Sequence, residues 1–217
     1  MLFKLISLLQ IDYSWLNVFR YIPFRAIVSA LTSLVLFFMF GNWAINKLRS
    51  SQLKQYIRED GPPNHFSKKG TPTMGGCIIL SVIMVSLLLW LRIDNFYAWI
   101  CVFAVMSFGL IGFADDYLKT IRKSSKGLSV RNKFILQIAA ALIIAFALYL
   151  YPGFDSYLTI PFFKNLKPDL GLWYIPFAVI FIVGFSNAVN LTDGLDGLAI
   201  GPVTIAFLSY LVFSYIS

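Results

Sequence analysis

Two clusters of acids and amides carry the residue types that phosphate chemistry requires. The first is Phe113-Ala114-Asp115-Asp116-Tyr117, where two carboxylates stand side by side at the end of an apolar run. Adjacent carboxylates oppose each other's ionisation unless a cation neutralises them. A nearby lysine or a divalent metal does so, and acid pairs holding Mg²⁺ are a common means of handling phosphates. The plain alternative is a polar anchor that ends a membrane span, although carboxylates at a membrane edge are functional candidates by default.

The second cluster is Asn187-Ala188-Val189-Asn190-Leu191-Thr192-Asp193-Gly194-Leu195-Asp196-Gly197-Leu198. Asn187 and Asn190 lie three apart and share a helix face, and Asp193 continues the polar stripe. Gly194 and Gly197 let the backbone turn and approach a ligand closely. The rival readings are a polar Gly-rich turn and a Ca²⁺ loop, but the spacing and closing Glu of an EF-hand are missing.

Two basic segments accompany the acids. Lys119, Arg122, Lys123 and Lys126 recur at helical spacing, so a helix there presents a cationic stripe. It suits anionic lipid or a phosphorylated substrate, or marks topology alone; Lys119 is nearest the acidic pair. The run from Asn64 to Gly76, with Lys68, Lys69, Thr71, Pro72 and Thr73, offers charge, hydroxyls and a bent backbone for a phosphate or nucleotide. It lacks Walker spacing, which excludes a P-loop. His65, the single histidine, reads as a solvated loop residue.

The elements that position these groups are membrane helices. Of 217 residues, 59% are hydrophobic and 13% charged, about half the charge of a soluble domain. That excludes an ordinary globular protein, a disordered chain and a disulfide scaffold; Cys77 and Cys101 lie in apolar runs and read as small hydrophobes. Six stretches free of Asp, Glu, Lys and Arg reach the length of a bilayer-crossing helix: 26–46, 70–91, 95–114, 134–154, 170–192 and 197–217. Their continuous apolarity argues against strands. Residues 5–19 are apolar but short and contain Asp12, which predicts an in-plane helix rather than a signal peptide. The expectation is an all-α integral membrane protein with one membrane domain.

Loop charge sets the orientation. The segments 47–69 and 115–133 are rich in Lys and Arg, whereas the other connections are nearly balanced, so the positive-inside rule places these two in the cytoplasm with the N-terminus outside. Lys4, Arg20 and Arg25 count mildly against this. The net charge of +8 is thereby a topology signal rather than a sign of nucleic-acid binding. Asp115, Asp116, Asp193 and Asp196 then emerge beside the basic loops, on one face. A transporter is a competing class, but its acids usually sit at mid-bilayer.

Taken in order, the run from Lys68 to Gly76, the Phe113–Tyr117 acids and the run from Asn187 to Ala199 resemble the phospho-N-acetylmuramoyl-pentapeptide transferase family, a branch of the polyprenyl-phosphate N-acetylhexosamine-1-phosphate transferases. The resemblance implies a Mg²⁺-dependent enzyme of the bacterial inner membrane that moves phospho-MurNAc-pentapeptide from UDP-MurNAc-pentapeptide to undecaprenyl phosphate, giving lipid I and UMP. It implies catalytic and metal-binding roles for Asp115, Asp116 and Asp193, with one acid of the pair deprotonating the lipid phosphate or acting as nucleophile. It places Lys68, Thr73, Lys119, Lys133, Asn187, Asn190 and Asp196 at the substrates. A homodimer is an assembly it allows. The family has about ten spans, a further essential Asp and a His-rich loop that have no counterpart here, so the chain reads as a truncated, six-span part of the bundle. The alternatives are a GlcNAc-1-phosphate transferase using the same lipid and an inactive membrane fragment.

Overall fold

The computed structural model describes residues 2–9, 13–50, 74–121, 127–160, 162–163, 165–193 and 198–216. Lys68, Thr73, Asp196, His65, Arg122, Lys123 and Lys126 lie outside the described residues. The described residues form helices α1 (Leu2–Leu9), α2 (Ile22–Ser50), α3 (Gly75–Trp90), α4 (Phe96–Ile121), α5 (Val130–Tyr149), α6 (Tyr174–Thr192) and α7 (Ile200–Ile216), with 3₁₀ turns at Ser14–Arg20 and Gly171–Trp173. There is no strand among them beyond a single bridge between Tyr157 and Asp169. Four helical segments, Ile22–Ser50, Phe96–Ile121, Val130–Tyr149 and Gly171–Thr192, are long and apolar enough to cross a membrane, while Gly75–Trp90 and Ile200–Ile216 are shorter apolar helices. The protein is a multi-pass, all-helical membrane protein.

The chain forms two compact units, Met1–Gln137 and Ile138–Ser217, with α5 running through the boundary. In the first unit α2 packs on α3 and α3 on α4. Between helices in lipid there is little hydrophobic drive, so polar contacts and close packing hold them together. Ser86 is 1% exposed and donates to the Ser29 carbonyl at 2.6 Å, with the two hydroxyls 3.0 Å apart. One turn on, Trp90 Nε1 donates to Thr32 Oγ1 at 3.0 Å. Phe19 stacks on Trp90 with ring centroids 5.5 Å apart, tying the first 3₁₀ turn to α3. The second unit has a small core of Ala145, Ile175 and Ala178, flanked by Leu142, Tyr149, Tyr174 and Val179. This cluster joins side chains of α5 and α6.

Helix limits follow local chemistry. Asn95 caps α4 by accepting from the Ala98 N–H at 3.2 Å, and Ser129 caps α5 through the Asn132 N–H, also at 3.2 Å. The charge pattern predicts a loop from residue 115, but α4 continues to Ile121. Asp115 and Asp116 pair with Lys119 one turn ahead, contacts that favour a helix, and the extension carries α4 about 10 Å past the apolar run. At the other side, α5 ends at Tyr149 rather than near Phe154. Pro152 disfavours helix at Tyr151, and Gly153 takes a positive φ of 83°. Where the sequence predicts one helix over residues 5–19, the described residues form two pieces, α1 and the Ser14–Arg20 turn.

Between α5 and α6 the backbone folds back, with Leu158 N–H donating to Pro168 at 2.9 Å and Leu170 N–H to Ser156 at 3.1 Å. Ser156 Oγ and the Gly171 N–H both donate to Asp169 Oδ1. These donors, the Ser156 hydroxyl foremost, hold the Asp169 carboxyl below its ordinary value of 3.8. Since the folded value is the lower one, the stabilisation is complete above the ordinary value and is lost as pH falls through the folded value. Ser156→Ala is expected to raise the Asp169 titration midpoint towards that of a free aspartate, measured by NMR. A midpoint that stayed put would remove the hydroxyl as the cause.

Candidate functional site

The best-defined charged site lies at the C-terminal end of α4. Asp115 is 9% exposed. Its Oδ2 sits 2.7 Å from Lys119 Nζ, while its Oδ1 accepts from the Leu128 N–H at 2.8 Å. Lys119 also reaches Asp116 Oδ1 at 3.3 Å, so one ammonium lies between the two carboxylates. The Asp116 side chain is 40% exposed against 13% for Asp115. Lys133, at the start of α5, acts electrostatically on Asp115. Lys119 stands in the last turn of α4, where a cation also complements the helix dipole.

The Leu128 contact depends on Gly127. A Cβ at Gly127 would lie 2.7 Å from the Asp115 carbonyl oxygen and closer still to Asp115 Oδ1. Its φ is not left-handed; the requirement is for space, because the 127–129 segment passes directly over the last turns of α4. The charge pattern alone does not signal this residue. A Gly just before the Ser129 helix cap is the one local cue.

Of the predicted residues, Asp115, Asp116, Lys119 and Lys133 therefore come together within the first unit. Asn187, Asn190 and Asp193 belong to the second. Asn187 Nδ2 donates to the Val183 carbonyl at 2.8 Å on α6, and Asn190 and Asp193 are exposed, with Asp193 ending the helix. Met74 is the first described residue of the Lys68–Gly76 run. It is 8% exposed and holds a left-handed φ of 71° immediately before α3, a conformation that costs a non-glycine residue roughly 1–2 kcal/mol. Strain of this kind is concentrated at functional sites.

Comparison with known proteins places the chain in a family. The model of glycosyl transferase family 4 matches residues 98–217, and the phospho-N-acetylmuramoyl-pentapeptide-transferase signature 1 matches residues 68–80. The chain is 52% identical over 217 residues to the phospho-N-acetylmuramoyl-pentapeptide-transferase of Desulforapulum autotrophicum, covering 100% of this chain and 60% of that protein. The protein of the same name from Syntrophus aciditrophicus is 50% identical over 215 residues, covering 99% of this chain and 60% of its own. That from Geobacter sp. is 48% identical over 217 residues, covering 100% and 61%. The chain thus spans about 60% of the length of the curated relatives it matches. A transferase family model over more than half the chain, together with the signature at its Lys68–Gly76 run, places the chain in glycosyl transferase family 4, within the branch that carries the phospho-N-acetylmuramoyl-pentapeptide-transferase signature.

Proposed function

We propose that this chain supplies the acidic half of an active site that transfers phospho-MurNAc-pentapeptide from its UDP carrier to undecaprenyl phosphate, at the cytoplasmic face of the bacterial inner membrane. The observation that carries the proposal is the Asp115–Lys119–Asp116 cluster clamped by Leu128 at the end of a membrane helix. An oxygen of the lipid phosphate attacks the sugar-bearing phosphorus of the donor. The phosphoanhydride bond to the nucleotide breaks, a new pyrophosphate bond forms, and UMP leaves with the electron pair. Such a transfer depends on positioning and on charge neutralisation more than on covalent chemistry by the protein.

The two acids differ in surroundings, which supports different tasks. Asp115 is buried and occupied by two donors, so it acts as a positioning residue that aims Lys119. Asp116 is the accessible one and meets substrate or cation. Lys119 neutralises phosphate charge, assisted by Lys133. Asn187, Asn190, Asp193 and Asp196, with Lys68 and Thr73, belong to the nucleotide side of the reaction in this reading.

The donor chemistry suits Mg²⁺, a hard cation that prefers carboxylate oxygens and retains water. Among the described residues no group of three His, Cys, Asp or Glu side chains converges, but Asp115 and Asp116 already converge on one cation, the Lys119 ammonium. Asp116, the accessible carboxylate of the pair, would hold the metal, which when bound would neutralise phosphate charge.

The test is UMP release by the intact protein extracted from its membrane, with undecaprenyl phosphate and Mg²⁺ present. UDP-MurNAc-pentapeptide is expected to support release and UDP-GlcNAc is not, with EDTA stopping the reaction. Release from UDP-GlcNAc alone would transfer the assignment to a GlcNAc-1-phosphate transferase. No release from either donor would overturn the proposal.

A further inference from the structure

The other charged region of the first unit lies at the opposite end of the helices. An open cavity of about 590 Å³ is bounded by α1, the end of the first 3₁₀ turn, the start of α2 and the connection between α3 and α4. Its size falls in the range of small-molecule sites. Lys4, Arg20, Arg25 and Arg92 line it, against a single described acid, Asp94. Asp94 is committed to Arg92, at 2.7 Å. Lys4, Arg20 and Arg25 are left facing the cavity with no ion pair to a described acid. Arg25 is buried, at 9% exposed, with its guanidinium 4.2 Å from the Phe3 ring centroid. A buried guanidinium held by an aromatic face, next to two further cations, calls for an anion, and guanidinium groups match phosphate oxygens best.

A second observation distinguishes a lipid from a soluble anion. A neighbouring groove of about 300 Å³ shares Arg25, Leu91 and Arg92 with the cavity and continues along Ile22, Ala26, Leu87 and Trp90 between α2 and α3. Apart from Ser29, Asn95 and the two shared arginines its lining is apolar, as hydrocarbon requires, and it adjoins the cationic cavity. Around both, Leu5, Leu8, Tyr13, Trp15 and Tyr21 are exposed, a set of aromatic and aliphatic residues typical of the headgroup level of a bilayer. The place is remote from the acids: Phe96 to Asp115 spans 19 residue steps of α4, about 28 Å at helical rise and close to one hydrocarbon thickness.

We infer that this cavity binds the phosphate headgroup of an anionic phospholipid, with an acyl chain in the adjoining groove, in the leaflet opposite the Asp115–Asp116 site. Lys4 and Arg20 close over the phosphate from α1 and the 3₁₀ turn, and Arg25 holds it from beneath. The bound lipid would thereby fasten the N-terminal segment to α2 and α3.

The test is lipid retention by the intact protein in detergent, followed by native mass spectrometry. Phosphatidylglycerol and phosphatidylcholine of identical acyl chains are offered at equal concentration. Phosphatidylglycerol is expected to be retained about tenfold more tightly, and each cation removed from the cavity to weaken it about fivefold. Because Arg25 is buried and its loss disturbs packing as well as charge, the exposed pair Lys4→Gln and Arg20→Gln carries the test, with Lys47→Gln at the far end of α2 as the charge control that leaves retention unchanged. Equal retention of the two lipids, or a Lys4→Gln/Arg20→Gln protein that holds phosphatidylglycerol as the native one does, overturns the inference. So does displacement of phosphatidylglycerol by millimolar glycerol 3-phosphate, which would make the ligand a soluble phosphate.

Discussion

Replacing Asp116 by Asn is expected to reduce UMP release by about 10²- to 10³-fold, the effect of deleting one charge-stabilising group at a phosphate or oxyanion site. The substitution keeps side-chain shape, and the Thr120 hydroxyl that bonds at this position takes the Asp116 backbone carbonyl, not the carboxylate. Helix α4 should therefore survive, with thermal stability within about 0.5 kcal/mol of the native protein. Asp115→Asn should also inactivate, by a different route. Its amide oxygen can still accept the Leu128 N–H, but the 2.7 Å ion pair that aims Lys119 is gone. If Asp116 faces a divalent cation, Asp116→Asn shifts the Mg²⁺ dependence to higher concentration, whereas Asp115→Asn lowers kcat across the Mg²⁺ range. Full activity in both variants would sink the role assigned to the pair, and identical Mg²⁺ profiles would sink the division of labour between them.

Gly127→Ala is the second large effect. The added methyl meets the Asp115 carbonyl oxygen at 2.7 Å as well as its carboxylate, and a helix backbone cannot step aside as a flexible side chain can. The segment carrying Leu128 must lift away from α4, which costs on the order of 1–3 kcal/mol as overpacking. It also breaks the 2.8 Å bond that fixes the Asp115 carboxylate. A misplacement approaching 1 Å in a positioned group lowers rates by about 10²-fold, so kcat for UMP release should fall by one to two orders of magnitude while KM for the nucleotide donor changes little. Gly112→Ala, in the same helix with open space at its Cβ, is the control and should be active. If Gly127→Ala and Gly112→Ala behave alike, the Gly127–Asp115 contact has no part in positioning the acid.

Sequence pattern and folded structure part at the ends of α4 and α5. Apolar run length placed a helix in each of the six predicted stretches, four of them long and apolar enough to cross a membrane, because in lipid the backbone must satisfy its own hydrogen bonds and a helix is the way one segment does so. It misjudged their ends, since those depend on short-range polar contacts. The Asp115, Asp116 and Lys119 pairs prolong α4 beyond its apolar stretch, and Pro152 with Gly153 closes α5 early. Lys4, Arg20 and Arg25 counted in the sequence only as a weak contradiction of the loop-charge rule. Folding brings all three to one cavity.

By itself, the sequence determined the membrane class, the helical composition, the acids and amides available for phosphate chemistry, and the family to which their order belongs. These are properties of residue type and spacing along one chain, where hydropathy and i, i+3, i+4 neighbours act locally. Only the tertiary structure decided which carboxylate is buried and which is open, that Lys119 serves both, that Gly127 must be small, and that Ser86, Ser29, Thr32 and Trp90 join α2 to α3. Apart from the Lys119 pairs, which lie one helical turn apart, those outcomes rest on contacts between segments 12 to 58 residues apart, and an unaided sequence carries no measure of the distance between such segments once the chain has folded.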